Sequence, residues 1–424
     1  MRAVVVALGK IGLPIAAKIA LAGHEVIGCD IDARVLELVA RGEAPFPGEA
    51  GLAEALADVV PAGRLRVTRD TAAAVADGAE FVIAVPPLVV DDRARPDFAV
   101  LDSVMADIGR GLQPGTVVSV ETTLPVGTTR QRIAPALAEA SGLEPERDFF
   151  SVHSPERVYS GRIFRDLDTY PKLVGGLGEE GERRAVALYR EFLSAEVRAM
   201  GSAETAELTK LAETTYRDVN IALANEFAKF ADRSGLDVSQ VIDAANSQPF
   251  SHIHQPGIGV GGHCIPVYPR FYLAGDPEAQ IPSDARAIND SMPAYAVELL
   301  EREMDAELRG QTVLILGVSY RGAVKETAFS AAFAVQRELE RRGALALAHD
   351  PMYEPDELRA LGFVPWDGSV ALDAAILQAD HPAYTQLTPA DLPGVRAIID
   401  GRGTLDAGVW AAAGVPVRRI GSPG

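Results

Sequence analysis

The most distinctive chemistry in the sequence lies in the glycine-rich segment 256–266, which reads PGIGVGGHCIP. Its glycines can adopt backbone angles that are closed to other residues, so the loop can press against a ligand. Cys264 follows these glycines, and we expect it at the start of a helix. A helix N-terminus favours the thiolate form of cysteine, which is a nucleophile. A buried structural cysteine is the alternative interpretation.

Three histidines near this thiol offer a second kind of chemistry, metal binding. His252, His254 and His263 lie close to Cys264 in the sequence. The segment lacks a second pair of cysteines, and it lacks the HxxxH spacing of a zinc-binding helix. We therefore predict no metal site.

Lys210 and Thr214 are a second candidate pair, because residues four apart on a helix face the same way. Lysine is rare in this chain, with only six among 424 residues, and Lys210 is flanked by Leu208 and Leu211. A partly buried lysine can act as a base or stabilise an oxyanion. A solvated surface lysine is the alternative interpretation.

The third candidate is a nucleotide-binding turn at residues 7–12, which read ALGKIG and follow a short apolar run. This is the dinucleotide fingerprint GxGxxG with its first glycine replaced by alanine. Gly9 can admit the pyrophosphate, and Gly12 can let helix and strand pack closely. We expect the pyrophosphate on the N-terminus of a helix that starts near Lys10. Asp30 would bind the ribose hydroxyls and repel a 2′-phosphate, which favours NAD over NADP.

These candidates need a scaffold, and the sequence predicts two α/β domains with parallel sheets. Short apolar runs alternate with helical segments at both ends of the chain, as in βαβ units. The expected strands are Ala3–Leu8, Glu25–Cys29, Phe81–Val85, Thr116–Val120, Thr312–Leu316, Leu345–His349, Ala374–Gln378 and Val395–Ile399. The fold class is therefore two Rossmann-like, doubly wound domains.

A long amphipathic stretch, Ser202–Ser234, separates the two regions and contains no glycine or proline. It predicts a single helix that joins the domains and offers a dimer face. Its apolar residues are expected to pack in the core; they are Leu208, Leu211, Val219, Leu223 and Phe227. We place the domain boundaries at 1–200, 201–300 and 301–424.

Composition excludes several classes of partner. The formal charge of -19 argues against nucleic acid and against anionic membranes, which need a basic surface. No apolar run approaches the length of a membrane span, and no signal-peptide pattern is present. Two distant cysteines, Cys29 and Cys264, do not make a disulfide framework, so a cytoplasmic location is expected.

Taken together, the motifs resemble the UDP-glucose/GDP-mannose dehydrogenase family, with the closest likeness to its N-acetylmannosamine branch. The likeness spans nearly the whole chain and keeps the motifs in the same order. The segments that carry it are LGKIGLP at 8–14, VETTLPVGTTR at 120–130, SPERVYSGR at 154–162, ELTKLAETTYRDVNIALANEFA at 207–228, GIGVGGHCIP at 257–266, VLILGVSYRG at 313–322 and IIDGRGTLD at 398–406.

The resemblance implies an NAD domain, a central helix used for homodimerisation and a domain that binds a nucleotide-diphosphate sugar. It implies that a C6 alcohol is oxidised through a thiohemiacetal and a thioester on Cys264 to a uronate. The implied catalytic residues are Cys264, Lys210, Glu156, Thr123 and Thr214. The implied cofactor-binding residues are Gly9, Lys10, Ile11, Gly12, Asp30, Val85 and Thr123. The implied substrate-binding residues are Glu156, Arg157, Lys210, Gly261, Tyr268, Tyr320, Arg321 and Arg402.

The chain departs from the family pattern around the same site. Tyr268 stands where the family usually has Asp, and Thr214 where it usually has Asn; both family residues serve the later steps of the reaction. An Arg-Glu pair becomes Ala328-Phe329. The basic residues before the glycine-rich loop become Ser247, Gln248 and Phe250.

Three functions therefore stay open at the level of sequence. The first is the full four-electron oxidation to a uronate. The second is a single two-electron oxidation, which leaves an aldehyde or, from a secondary C6 alcohol, a ketone. The third is an inactive protein that binds nucleotide sugars. The sequence does not distinguish UDP from GDP, because contacts to a diphosphate do not recognise the base.

Overall fold

The computed structural model describes residues 1–91, 93–159 and 161–423, and these form two units. The first contains Met1–Glu213 and Arg270–Asp276, and the second contains Thr214–Pro269 and Pro277–Gly424. The predicted domain boundaries at 200/201 and 300/301 stay a prediction.

The first unit is built on an eight-stranded sheet with a small two-stranded ribbon beside it. Its strands are β1 Arg2–Val6, β2 Glu25–Cys29, β3 Leu65–Thr68, β4 Phe81–Ala84, β5 Val89–Val90, β6 Pro96–Asp97, β7 Val117–Val120, β8 Phe150–His153, β9 Lys172–Gly176 and β10 Val197–Ala199. The order in the large sheet is β10-β9-β8-β7-β4-β1-β2-β3. All neighbours are parallel except β8 and β9, which are antiparallel.

Helices cover this sheet, which is why the strands are continuously apolar. They are α1 Gly12–Leu21, α2 Ala33–Ala40, α3 Leu52–Val59, α4 Thr71–Ala76, α5 Ala99–Gly111, α6 Ala134–Ser141 (preceded by a π-helical turn, Thr129–Ile133), α7 Ile163–Thr169, α8 Glu179–Arg190 and the first part of α9 Ala203–Ser234. Ala3, Val4 and Val5 of β1 are fully buried.

The second unit holds a five-stranded parallel sheet in the order β12-β11-β13-β14-β15. Its elements are the rest of α9, then α10 Val238–Asn246, the start of α11 Tyr268–Gly275, α12 Gln280–Met304, β11 Thr312–Leu316, α13 Ala331–Arg341, β12 Leu345–His349, α14 Pro355–Ala360, β13 Ala374–Leu377, a 3-10 turn Pro382–Gln386, β14 Ala397–Asp400, α15 Ala407–Ala412 and β15 Val417–Arg419. The predicted fold class, two parallel-sheet α/β regions with a long central helix, is confirmed.

The turns that follow β1 and β11, the first strands of the two sheets along the chain, form the same hydrogen bonds. Ala7 N–H donates to the Cys29 carbonyl at 2.8 Å, and Gly317 N–H donates to the His349 carbonyl at 2.8 Å. An aspartate follows the second strand of each pair and accepts from the loop: Asp30 from Leu8 N–H at 2.7 Å, and Asp350 from Val318 N–H at 2.8 Å. Each turn is therefore tied to the strand beside it by the same two bonds.

The predicted long helix exists, but part of its apolar stripe does not lie in the core. Leu211 is buried, whereas Leu208, Leu223 and Phe227 are exposed. An apolar period of 3.6 residues shows that residues share a face and does not show what covers that face. Among the described residues, no helix combines the length and apolarity needed to cross a bilayer.

Candidate functional site

The turn after β1 has the geometry of a dinucleotide cradle. Ala7 takes the left-handed backbone conformation, with φ of 73°, so the strand ends at Val6 and not at Leu8 as predicted. A Cβ on Gly12 would lie 2.0 Å from the Ala7 carbonyl oxygen, so only glycine lets α1 approach the strand. A Cβ on Gly9 would meet nothing within 4 Å, which leaves space against this backbone for a ligand.

The other cofactor candidates of the first unit surround this turn. Lys10 is exposed and Ile11 half-buried, and both precede α1, which begins at Gly12. Asp30 accepts from Leu8 N–H and from Asp32 N–H, one bond on each carboxylate oxygen. Val85 follows β4 and donates its N–H to the Val6 carbonyl at 2.9 Å. These residues fit a bound NAD: an open glycine backbone, a helix N-terminus and a carboxylate with acceptor capacity left.

Glu156 lies in a buried cluster of charges at the carboxyl edge of the same sheet. Lys172 Nζ lies 2.6 Å from a Glu121 carboxylate oxygen and 3.0 Å from a Glu156 carboxylate oxygen. The other Glu121 oxygen accepts from the Tyr189 hydroxyl at 2.6 Å. Because β9 runs antiparallel to β8, its first residue, Lys172, lies at the edge where β8 ends. That reversal brings the lysine to Glu156.

The two carboxyl groups of this cluster differ in protonation. Burial raises the pKa of Glu121 to about 7, although Lys172 opposes the shift. Burial acts in the same direction on Glu156, but Lys172 and the bonds to this carboxylate outweigh it and hold its pKa below the usual value. Two of those bonds come from the backbone N–H groups of Arg157 and Val158, at 2.6 and 2.9 Å. Glu156 is therefore an oriented carboxylate at neutral pH.

The remaining candidates of the first unit lie on the loops and the helix beside this cluster. Arg157 forms an ion pair with Glu213 of α9 at 2.6 Å. Thr123, three residues after β7, is buried, and Lys210 of α9 is also buried. The buried carboxylate of Glu207, one turn before Lys210, accepts from Gly127 N–H and Thr129 N–H at 2.6 and 2.8 Å, which fixes the loop after β7 to the helix.

In the second unit, the glycine-rich loop is held tightly and presents Cys264. Gly257 N–H donates to Asn225 Oδ1 at 3.0 Å, and Gly262 N–H donates to the Ala328 carbonyl at 2.8 Å. A Cβ on Gly261 would lie 2.5 Å from the Tyr320 Cβ, so this glycine lets the loop pack on Tyr320. The predicted glycine requirement of the loop thus has a steric cause.

Cys264 is exposed and makes no disulfide. The sequence predicted that Cys264 begins a helix, but α11 begins four residues later, at Tyr268. Its carbonyl accepts from Val267 N–H at 3.2 Å and from Tyr268 N–H at 2.9 Å, so it begins the turn that leads into α11. Tyr268 is half-buried, and Thr214 of α9 is buried. Among the described residues, no group of three or more His, Cys, Asp or Glu side chains could hold a metal ion.

Arg402 lies beside the same loop. Its Nε donates to the Gln378 carbonyl at 2.9 Å, and one Nη donates to the Tyr320 carbonyl at 3.4 Å. Arg402 is exposed, and the carboxyl groups of Asp380 and Asp400 lie near it. The structure thus brings together Gly261, Tyr320 and Arg402, and Arg321 follows on the same strand-end loop with its Nε 3.2 Å from the Tyr320 hydroxyl.

Sequence reasoning missed Lys172, Glu121 and Tyr189. A signal was present for the lysine, because it begins the apolar run KLVGG and is one of only six lysines. A charge inside a buried strand needs a partner. The partners could not be identified from sequence, since Glu121 and Glu156 are reached only through the topology of β7, β8 and β9.

Comparison with known proteins gives matches along most of the chain. The profile of the NAD binding domain of the UDP-glucose/GDP-mannose dehydrogenase family matches residues 1–193. The profile of the central domain of this family matches 204–291, and that of its UDP binding domain matches 314–407.

Individual proteins agree with these profiles. A UDP-N-acetyl-D-mannosamine dehydrogenase from Pyrococcus horikoshii is 35% identical over 415 residues, which cover 96% of each chain. The solved structure of the P. horikoshii enzyme aligns with a TM-score of 0.87 at 33% identity, covering 99% of both chains. That of an NDP-N-acetyl-D-galactosaminuronic acid dehydrogenase from Methanosarcina mazei aligns with a TM-score of 0.88 at 29% identity, covering 100% of this chain and 95% of the other.

Proposed function

This chain belongs to the UDP-glucose/GDP-mannose dehydrogenase family, and from that premise we propose that it oxidises the C6 hydroxyl of a nucleotide-activated N-acetylhexosamine to the uronate, with Cys264 as nucleophile. It is an NAD-dependent nucleotide-sugar dehydrogenase, as the sequence motifs predicted. The observation that carries the proposal is the match to named dehydrogenases over 96% of both chains. The sugar class follows the names of those relatives.

When bound, NAD supplies the hydride acceptor, and Gly9, Gly12 and Asp30 would hold it. Lys210 receives the alcohol proton or stabilises the resulting oxyanion. The Cys264 thiolate adds to the aldehyde to give a thiohemiacetal, and loss of a second hydride turns this adduct into a thioester. Water then cleaves the thioester and frees the thiol. The overall change is one alcohol, two NAD and one water to one carboxylate, two NADH and three protons.

The remaining site residues divide between the two ends of the substrate. Glu156, an oriented carboxylate, and Thr123 act beside the reacting carbon. Tyr320, Arg321 and Arg402 hold the nucleotide diphosphate; the guanidinium groups can bind the phosphate oxygens bidentately. The remaining proposed substrate-binding residues are Arg157, Gly261 and Tyr268. The remaining proposed catalytic residue is Thr214.

A second candidate reaction is a single two-electron oxidation that stops at a carbonyl compound. It is favoured by Tyr268 and Thr214, which stand where the family pattern has an Asp and an Asn that serve the later steps. A tyrosine cannot take the place of a carboxylate as a base for water near neutral pH, because its pKa is ordinarily about 10.

We further propose a homodimer formed through α9 and a cytoplasmic location. Tyr216, Leu223, Phe227 and Phe230 share one face of α9, and 38–58% of each is exposed. An apolar stripe of this length is typical of a protein–protein interface. Two free cysteines fit a reducing compartment.

Product analysis separates the two reactions. With UDP-N-acetylmannosamine as the first substrate to test, we expect two NADH per sugar and a uronate product. One NADH per sugar and a carbonyl product would instead establish the two-electron reaction. For the thioester route, Cys264→Ser is expected to lower uronate formation by about 10³-fold or more, because a hydroxyl is a far weaker nucleophile than a thiolate. Cys29→Ala, which removes the buried thiol of β2, is the matched control, and full turnover by Cys264→Ser would disprove the thioester.

A further inference from the structure

The buried lysine of β9 has no role in the mechanism outlined above. We propose that Lys172 is a positioning residue for the reaction: it holds Glu156 as an oriented carboxylate, while Glu121, on its other side, takes the proton that the carboxyl pair retains. This inference rests on the proposed function only in assigning Glu156 to the reaction. The arrangement of the three charges rests on the first unit alone.

Lys172 is one cation that contacts two carboxyl groups. Its Nζ lies 2.6 Å from Glu121 and 3.0 Å from Glu156, and its side chain is only 6% exposed. Two buried carboxylates with one ammonium would leave an uncompensated negative charge in a low-dielectric site, which is costly. One carboxyl group therefore keeps a proton up to about neutral pH.

The environments of the two carboxyl groups decide which one keeps the proton. Glu156 accepts two backbone N–H bonds besides the bond from Lys172, and such bonds stabilise a carboxylate. Glu121 is fully enclosed and receives, besides Lys172, the Tyr189 hydroxyl. Burial accordingly moves the pKa of Glu121 upward to about 7, whereas the pKa of Glu156 is held low. Glu121 is the proton-carrying member.

Three other titratable groups among the described residues lie near the cluster, Tyr189, His153 and Arg157, and these three do not supply a second cation. Tyr189, on α8, bonds to Ser119 of β7 at 2.8 Å, and burial keeps the pKa of its hydroxyl above the usual value. His153, at the end of β8, is fully buried, and burial with the nearby Lys172 lowers its pKa to about 3, so its ring is neutral. The guanidinium of Arg157 is bound by Glu213. Lys172 is thus the cation in direct contact with Glu156 to which we assign the low pKa of this carboxyl group.

The test is the pH dependence of turnover in three variants, measured as the position of the acid limb of kcat. Lys172→Met keeps the length of the side chain and removes its charge. Because an opposite charge at this distance lowers a carboxyl pKa by about 1–3 units, we expect the acid limb to move up by about that amount. Lys172→Arg is expected to restore the limb.

Glu121→Gln is the matched control, since it changes the same buried cluster while leaving the cation next to Glu156. In the pH range of the acid limb Glu121 is already protonated, so the amide replaces a neutral group and the limb is expected to stay in place. A purely structural cluster would respond differently: both variants would lower kcat, and neither would move the limb. If Lys172→Met does not fold, the double variant Lys172→Met/Glu121→Met removes the cation together with its buried partner, and the same upward movement is expected.

A measurement without turnover keeps this inference separate from the proposed function. Infrared difference spectra between the protein and its Glu156→Gln variant isolate the Glu156 carboxylate band, whose titration is expected to move up in Lys172→Met. An unmoved band overturns the role of Lys172 whatever the enzyme does. Full turnover by Glu156→Gln, together with a moved band, would instead remove Glu156 from the proposed reaction and leave the charge arrangement standing.

Discussion

Individual backbone positions set the shape of the cofactor turn. Ala7 occupies the left-handed region, where glycine is the usual residue, and its N–H donates to the Cys29 carbonyl. Left-handed backbone costs a residue with a Cβ about 1–2 kcal/mol, so this turn is maintained by its neighbours. Asp30 contributes by accepting the next N–H, that of Leu8. A degenerate fingerprint can therefore keep the geometry of the full one.

The two glycines of this turn are expected to differ in what they tolerate. Gly12→Ala should lower the free energy of unfolding by about 1–3 kcal/mol, because its Cβ would overlap the Ala7 carbonyl. Gly9→Ala should leave stability unchanged, since its Cβ meets no atom, but should weaken NAD binding by about tenfold or more, equivalent to about 1.4 kcal/mol. Urea unfolding and NAD titration of both variants measure this. Equal losses of stability would contradict the assignment.

Residue types and their spacing predicted the cofactor turn and the thiol loop, but not the charge cluster. Asp30 and Gly12 lie within one βαβ unit, so local spacing is informative. Lys172 lies 51 residues from Glu121 along the chain. The contact depends on the change of strand direction between β8 and β9, which β10 then follows, and no local sequence pattern predicts that reversal.

At the scale of elements, a buried carboxylate ties three strands of the second sheet together. Asp350, after β12, accepts from Val318 and Ser319, which follow β11, at 2.8 and 3.0 Å. It also contacts His381, beyond β13, whose Nε2 lies 3.1 Å away. Ala323 N–H donates to His381 Nδ1 at 3.3 Å, so the ring proton is on Nε2 and points to the carboxylate. This carboxylate orders the loop that carries Tyr320 and Arg321.

The same carboxylate makes a pH-dependent contribution to stability. Burial tends to raise the pKa of Asp350, but the bonds from His381, Ser319 and Met352 outweigh it and lower the value from 3.8 to about 2. A depressed carboxyl pKa stabilises the fold above the unfolded value and loses that contribution as pH falls toward the folded one. Asp350→Asn should therefore cost about 1–2 kcal/mol at pH 7, and the difference should shrink between about pH 4 and 2.

Urea unfolding across this pH range measures the effect. Asp356→Asn is the control, because the Asp356 side chain is 96% exposed and its ion pair with Arg359 is within one surface turn. A constant difference between Asp350→Asn and the parent protein at every pH would show that packing, and not charge, is responsible.

The starts of two helices show which element boundaries can be predicted from sequence: one start is set by a local contact and the other by contacts between distant residues. The long helix was predicted from Ser202 and begins at Ala203, because Ser202 Oγ accepts from Thr205 N–H at 3.1 Å, a local capping bond. The helix expected at Cys264 begins at Tyr268 instead. The glycine loop that leads into this turn packs on Tyr320 and bonds to Ala328, which are distant in sequence, so proline and glycine spacing could not locate the helix start.

At the scale of the whole molecule, the exposed face of α9 carries the prediction of assembly. Leu223→Glu/Phe227→Glu places two charges on this face, and burying them in a dimer would be costly. We expect the sedimentation mass to fall by half without loss of helical structure. Val364→Glu, at a valine that is 50% exposed in the second unit, is the control and should leave the mass unchanged. An unchanged mass for the double variant would place the interface elsewhere.

The paired turns of the two sheets are alike in backbone geometry but differ in how much of their aspartate is available to a ligand. A carboxylate offers about four acceptor positions. Asp30 uses one for Leu8 and one for Asp32, whereas Asp350 receives four donors, three from backbone N–H groups and one from His381. Asp350 is therefore bonded mainly to the protein's own loops, whereas Asp30 keeps more acceptor capacity for the hydroxyl groups of a ligand. Two turns of similar backbone geometry can thus differ in the ligands they bind, because their aspartates differ in how many hydrogen bonds they already accept from the protein.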